Sequence, residues 1–213
     1  MSMEADLKGA TFTAQDFRRR AERETGPFDG DQIGDHVLNP TMFDDFITGP
    51  LRDAAVMIAV VDHGPEASII LTQRCTRLRT HSGQVAFPGG RIDATDPSPE
   101  FAALRETQEE IGLDPHEIEV IGRMPDYVAG SGYRIAPVLG IVQPGFRLSL
   151  NPDEVDAAFE VPLSFLMDPA NHHRKTRIFK ERERHYFEMP FGERHIWGVT
   201  AGIIHTLYTR LYT

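Results

Sequence analysis

The sequence predicts an α/β fold, a mixed β-sheet flanked by helices, and three observations carry that prediction. Six short runs, most of them rich in β-branched or aromatic residues, are separated by turn-forming residues. Helical punctuation or spacing occurs in only three segments, widely separated along the chain. No internal repeat and no low-complexity tract offers a solenoid or fibrous alternative.

Taken in order, residues 1–50 read as an N-terminal extension whose second half, 26–50, mixes Gly, Asp and Pro in the manner of an irregular segment. Residues 51–213 read as a single domain, a size at which one full core can be buried. Its strands are expected at 55–61, 68–74, 84–87, 119–124, 135–142 and 158–161, with His63-Gly64-Pro65 turning the chain between the first two. A helix is expected over 99–111. Ser98 can cap its N-terminus, Pro99 suits the first helical position, and Gly112 can take the left-handed conformation that ends it. A short helix near 163–167 follows, and a C-terminal one lies within 200–211, where apolar residues recur at helical spacing.

Composition narrows the function. With 40% hydrophobic and 25% charged residues, no apolar run approaches the length of a bilayer span, which argues against a membrane protein. The first residues carry Arg18, Arg19, Arg20 and Arg23 without a continuous apolar stretch, unlike a secretory signal, so the cytoplasm is the expected location. A single cysteine, Cys75, cannot form an intramolecular disulfide, which fits a reducing compartment, and it reads as a packing residue rather than a nucleophile. A net charge of -10 disfavours nucleic acid and anionic membrane as partners. No sequence feature sets the oligomeric state, and a homodimer stays open.

Charge is unevenly spread. The chain has 32 acidic residues in 213, yet none between residues 67 and 92, where about four would be expected. That stretch carries Arg74, Arg77, Arg79, His81 and Arg91, a cationic patch in an anionic chain that reads as a solvated loop or as the receptor of an anionic ligand.

Chemistry concentrates in Arg105-Glu106-Thr107-Gln108-Glu109-Glu110. At 100° per residue Glu109, Glu106 and Glu110 fall at about -60°, 0° and +40°, within ~6 Å along the helix axis, with Leu104 and Ile111 on the opposite side. Glutamates on a helix are ordinarily a solvated face. Here three like charges repel each other in the last turns, where the negative end of the helix dipole disfavours them further. Such a set calls for a hard divalent cation, Mg2+ or Mn2+, which takes oxygen ligands and bridges carboxylates to phosphates. Arg105, four residues before Glu109, can hold its rotamer. Upstream, Phe87-Pro88-Gly89-Gly90 lets backbone approach a metal or phosphate, because Gly89 and Gly90 bring no Cβ.

The segment resembles the Nudix box, G-x5-E-x7-R-E-U-x-E-E-x-G-U with U aliphatic: Gly90, Arg105, Glu106, Glu109, Glu110, Gly112 and Leu113 occupy fixed positions. It departs from the box in having Asp96 for the first Glu, one extra residue before Arg105, and Thr107 at an aliphatic position. The upstream residues Leu71, Thr72, Arg74, Arg79, Gly83 and Phe87-Pro88-Gly89-Gly90 are similar to the signature L-L-T-x-R-(S/A)-x3-R-x3-G-x3-F-P-G-G of the coenzyme A pyrophosphatase branch, with Ile70 and Cys75 deviating. Residues 151–155 and 196–201 resemble that branch too.

The resemblance implies a Nudix α/β/α sandwich and metal-dependent hydrolysis of coenzyme A or its derivatives to 3',5'-ADP and 4'-phosphopantetheine species. By that resemblance Glu106 and Glu110 are metal ligands, and Glu109 is a further ligand or the residue that polarises water. Coenzyme A carries a 3'-phosphate besides its diphosphate, so fixed cations are expected beyond the metal, and Arg74 and Arg79 are the candidates. Tyr133 is a candidate to stack on adenine, with loop anchoring as the simpler role. Glu154 reads as a solvated glutamate or a distal base, and His172-His173 as surface rather than site. The competing expectations are a diphosphatase of ADP-ribose or a dinucleotide, and a non-catalytic nucleotide-binding module.

Overall fold

The computed structural model describes residues 11–24, 33–40, 49–78, 81–179 and 181–213. In chain order these form helix α1 (Ala14–Glu24), strand β1 (Ile33–Gly34), helix α2 (Asp35–Leu38), and strands β2 (Arg52–Val61), β3 (Ser68–Arg74), β4 (Val85–Ala86) and β5 (Gly89–Arg91). Helix α3 (Pro99–Ile111) leads into β6 (Ile118–Arg123), β7 (Tyr127–Ala129), β8 (Tyr133–Val142), β9 (Val155–Pro162) and α4 (Leu163–Leu166). The chain then runs through β10 (His173–Phe179), β11 (Arg182–Phe191) and β12 (Arg194–Trp197) into α5 (Val199–Leu211).

Strand β2 is apolar on both faces, so it can only be stable in the middle of a covered sheet. It pairs in parallel with β8 from Arg52↔Tyr133 to Val61↔Val142, and the far edge of β8 is shared by β7 and β6. The other edge of β2 is divided. Only Val60 and Val61 pair with β3, while Ala54, Ala55 and Val56 pair with β5. β3 meanwhile pairs with β4 through Thr72 and Gln73, and with β9 along its other edge. The sheet therefore forks, and the crossing chain at Phe87-Pro88 is pinned by the Met57 amide donating to the Pro88 carbonyl at 2.8 Å.

Alternate residues of β2 serve two cores, as the twofold period of a strand requires. Ala55, Met57, Ala59 and Val61 face Ala102, Ala103 and Ile111 of α3. Ala54, Ile58 and Val60 face a larger cluster containing Leu207 and Leu211 of α5 and Phe17 and Ala21 of α1. This is the expected α/β/α sandwich with a mixed sheet. Within the expected extension, α1 docks on the core: Phe17 and Ala21 are fully buried, and Arg20 donates to the Leu211 carbonyl at 2.8 Å.

Helix α3 has the expected ends. Ser98 Oγ accepts from the Phe101 amide at 3.2 Å, and Gly112 sits at φ 69°, its amide donating to Gln108 O. Thr107, at the position where the box is aliphatic, is buried with its hydroxyl satisfied, donating to Ala103 O at 2.6 Å. The expected strand over 84–87 shrinks to Val85–Ala86, since Phe87-Pro88 leaves the ladder to cross the fork. A second, three-stranded antiparallel sheet, β10-β11-β12, has no counterpart in the sequence expectations. Among the described residues no helix is long and apolar enough to cross a membrane.

Candidate active site

The site grows from the meeting of α3 with the Gly89-Gly90 strand at the fork. Gly89 is at φ 150°, and a Cβ there would lie 2.4 Å from the Ala55 carbonyl oxygen. At Gly90 a Cβ would lie 2.5 Å from the Glu106 carboxyl carbon. The two glycines thus let the helix press its carboxylates against backbone.

That closeness corrects the expectation that the three glutamates share one face opposite a buried one. Glu110 is itself buried, 2% exposed, while the side chains of Glu106 and Glu109 are 16% and 54% exposed. The Glu110 carboxylate accepts from the Gly89 amide at 3.2 Å and stands 3.4 Å from the Arg74 guanidinium. Burial pushes its pKa up to about 7 against the opposing pull of the Gly89 amide and Arg74, with Glu154 and Glu106 adding to the rise. Glu106 is raised as well, first by burial, then further by Glu109 and Glu154, while Arg105 opposes.

Arg105 organises the exposed half. It donates to Glu106 at 3.0 Å and Glu109 at 2.9 Å, and grips both oxygens of Asp96 at 3.1 and 2.9 Å. That fork holds the Asp96 carboxyl below the usual range. Asp96, read from sequence only as a departure from the box, is therefore the anchor of Arg105.

Glu154, read as solvated or as a distal base, faces Glu106 and Glu110 closely enough to raise both. Its position is fixed by the Cys75 amide, which donates to the Glu154 carbonyl at 2.8 Å. Cys75 is buried and acts in packing. Arg74 precedes it at a register shift between β3 and β9, the kind of irregularity that re-aims a side chain. Arg77 turns away, donating to the Pro152 carbonyl at 2.6 Å. Arg79 lies outside the described residues.

Among the described residues no three His, Cys, Asp or Glu side chains converge on one point: Glu106 and Glu109 are turned onto Arg105, Glu110 onto Gly89 and Arg74. The donor set nevertheless suits a hard divalent cation. It is all oxygen, Glu106 and Glu110 are each raised in part by neighbouring carboxylates, and the absent side chain of Gly90 leaves Glu106 room beside Glu110.

Beside this cluster opens a cavity of about 440 Å3. Arg74, Gly89 and Tyr133 line it from the fork, and Arg177, Arg184 and Trp197 from the small sheet. The Arg52 guanidinium covers one face of the Tyr133 ring at 3.9 Å. Asp35 ties the wall together, accepting from Arg184 at 2.9 Å and from the Tyr127 hydroxyl and Gly130 amide at 2.8 Å. The sequence reading gave no role to Arg177 or Arg184, for which it held no signal; Trp197 lay in the string at 196–201 but was assigned to no site. His172, expected at the surface, is instead half-buried against His205 and Tyr208, whereas His173 is exposed on β10.

The NUDIX domain family model matches residues 50–182. The Nudix hydrolase NudL of Escherichia coli strain IAI39 is 43% identical over 157 residues, covering 73% of this chain and 81% of that protein. NudL of Shigella boydii is 42% identical over the same shares. Among solved structures, a C. elegans Ap4A hydrolase complex is 17% identical, with a TM-score of 0.43 over 52% of this chain and 79% of that one.

Proposed function

Because the chain belongs to the Nudix hydrolase family and so cuts a nucleoside-diphosphate-linked substrate, we propose that this substrate is coenzyme A or one of its derivatives, released as 3',5'-ADP and 4'-phosphopantetheine species. The observation that carries the catalytic part is the crowding of Glu106, Glu110 and Glu154 against one another, with Glu110 on Arg74 and Gly89, two residues that line a cationic, aromatic-walled cavity. A binding module without catalysis has no use for carboxylates held in mutual repulsion. The match of residues 71–113 to the two-arginine signature supports coenzyme A within that class.

A divalent cation, Mg2+ or Mn2+, when bound by Glu106 and Glu110 with Glu109 as a further donor, supplies charge that neutralises the diphosphate and acidifies water. The remaining work falls to the chain. Arg105, fixed by Asp96, holds Glu106 and Glu109 in place. Glu154 faces the cluster from outside the helix and is the base that accepts a proton from the attacking water. Arg74 offers its guanidinium to the oxygens of the phosphate under attack, where charge accumulates. Gly89 lines the cavity without a side chain, Gly90 leaves room for the Glu106 carboxylate, and Tyr133 offers an aromatic ring to the base.

A substrate panel tests the reading. Coenzyme A, 3'-dephospho-coenzyme A, ADP-ribose and a dinucleoside polyphosphate are compared by product chromatography with Mg2+, Mn2+ or excess chelator. Coenzyme A is expected to give the highest kcat/KM, with no turnover in chelator. A preference for ADP-ribose or the dinucleotide overturns the substrate assignment, and turnover in chelator overturns the mechanism.

A further inference from the structure

Arg177 of β10 and Arg184 of β11 stand directly opposite each other in the register, an arrangement that like charges disfavour. Arg184 is neutralised by Asp35. Arg177 pairs with no carboxylate among the described residues; its guanidinium lies instead 5.2 Å from the Trp197 ring centre and 5.8 and 5.9 Å from those of Phe179 and Tyr186. Both arginines line the cavity that reaches Arg74 and Gly89. Aromatic faces orient a guanidinium and leave its N–H fork free to donate. Arg177 is exposed on β10, so its fork is open to an incoming anion on the side of the cavity away from Arg74.

Arg74 is committed to Glu110, at the diphosphate end. Arg177 touches none of the glutamates and comes from the other sheet. We infer that Arg177, framed by Phe179 and Trp197, receives a phosphomonoester on the ribose of the substrate nucleotide, apart from the diphosphate handled by Arg74 and the glutamates. This deepens the proposed function and rests on it. In coenzyme A the group is the 3'-phosphate. It also gives the string at 196–201 a role: Trp197 forms the cavity wall, and Thr200, at the start of α5, donates to the Val85 carbonyl at 2.9 Å and holds that wall against the fork.

The test joins kinetics to a binding measurement that does not depend on turnover. Arg177→Ala and Arg177→Lys are assayed with Mg2+ on coenzyme A and on 3'-dephospho-coenzyme A, and titrated calorimetrically with 3',5'-ADP and with 5'-AMP. The Ala variant is expected to lose about ten- to hundredfold in kcat/KM on coenzyme A, mainly through KM, and at most a few-fold on the dephospho substrate. It is also expected to lose the wild-type preference for 3',5'-ADP over 5'-AMP, with Lys restoring part of both. Equal losses on both substrates, or a preference for 3',5'-ADP that survives in the Ala variant, overturns the inference. So does a wild-type protein that binds the two mononucleotides equally. If wild type fails to hydrolyse coenzyme A yet prefers 3',5'-ADP through Arg177, the substrate assignment falls and the phosphomonoester site stands.

Discussion

At the scale of single residues, Gly89 and Gly90 are adjacent yet face different obstacles. A Cβ at Gly89 meets backbone at Ala55 and Val56, and φ 150° is strained for any other residue, so Gly89→Ala should destabilise the fold by at least about 2 kcal/mol. A Cβ at Gly90 meets only the mobile end of Glu106. Gly90→Ala should therefore melt within a few degrees of wild type while losing tenfold or more in kcat, roughly the effect of misplacing one catalytic group. Urea melts and steady-state kinetics of the two variants check this, and equal losses of stability would refute it. Glu110 carries a further consequence. Its folded pKa, about 7, lies above the ordinary 4.5, so its protonated form favours folding at low pH and that contribution is lost as pH rises from 4.5 through 7. In the absence of metal, Glu110→Gln should remove that slope and melt no lower than wild type at pH 8, while abolishing most hydrolysis at saturating Mg2+. Near-normal turnover in this variant would remove Glu110 from the metal ligands.

At the scale of elements, His205 of helix α5 and His172, just before β10, form a titrating pair away from the site. His172 Nε2 donates to Leu166 O at 2.7 Å, so its Nδ1 accepts from His205 Nδ1 at 3.0 Å; a proton added to His172 would set two N–H groups head to head. Burial, and then His172, hold the His205 pKa at about 4, below its ordinary 6.5. A depressed histidine leaves stability intact above 6.5 and withdraws it as pH falls toward 4. His205→Phe keeps the ring that stacks on Phe187 and removes the titration. Relative to wild type it should gain about 2 kcal/mol between pH 6.5 and 4, read from urea midpoints. A difference that stays flat with pH would mean that the pair does not titrate in this window.

At the scale of the molecule, the cavity is walled by two sheets that make no ladder with each other, and Asp35 fastens them. It joins α2, the turn between β7 and β8, and β11 through Arg184, Tyr127 and Gly130, while Asn39 brackets the amide and carbonyl of His185 at 2.8 and 3.0 Å. Asp35→Ala would leave a guanidinium, a buried hydroxyl and an amide without their acceptor, at a cost of about 3 kcal/mol. The KM for coenzyme A should rise with it as the small sheet loosens. A variant of unchanged stability and KM would show that the wall is held by other contacts.

Legibility in the sequence follows the range of the forces involved. The ends of α3 could be read from Ser98 and Gly112, and the bounds of β3 from its own apolar run, because capping and strand pattern act within a few residues. The run of glutamates on α3 was equally visible, since their repulsion is local to one helix. Helix α1 had a readable signal, Ala14, Phe17 and Ala21 on one face, hidden among its arginines. Strand β10 had none: every residue of His173–Phe179 is exposed, so no face imposes a twofold pattern. Three matters were left to tertiary structure: which glutamate is buried, that Glu154 reaches the cluster, and that Arg177 faces the same cavity as Arg74. Each depends on backbone contacts between distant segments, such as Gly90 under Glu106 and the Cys75 amide on Glu154, and burial and charge coupling exist only once those segments meet.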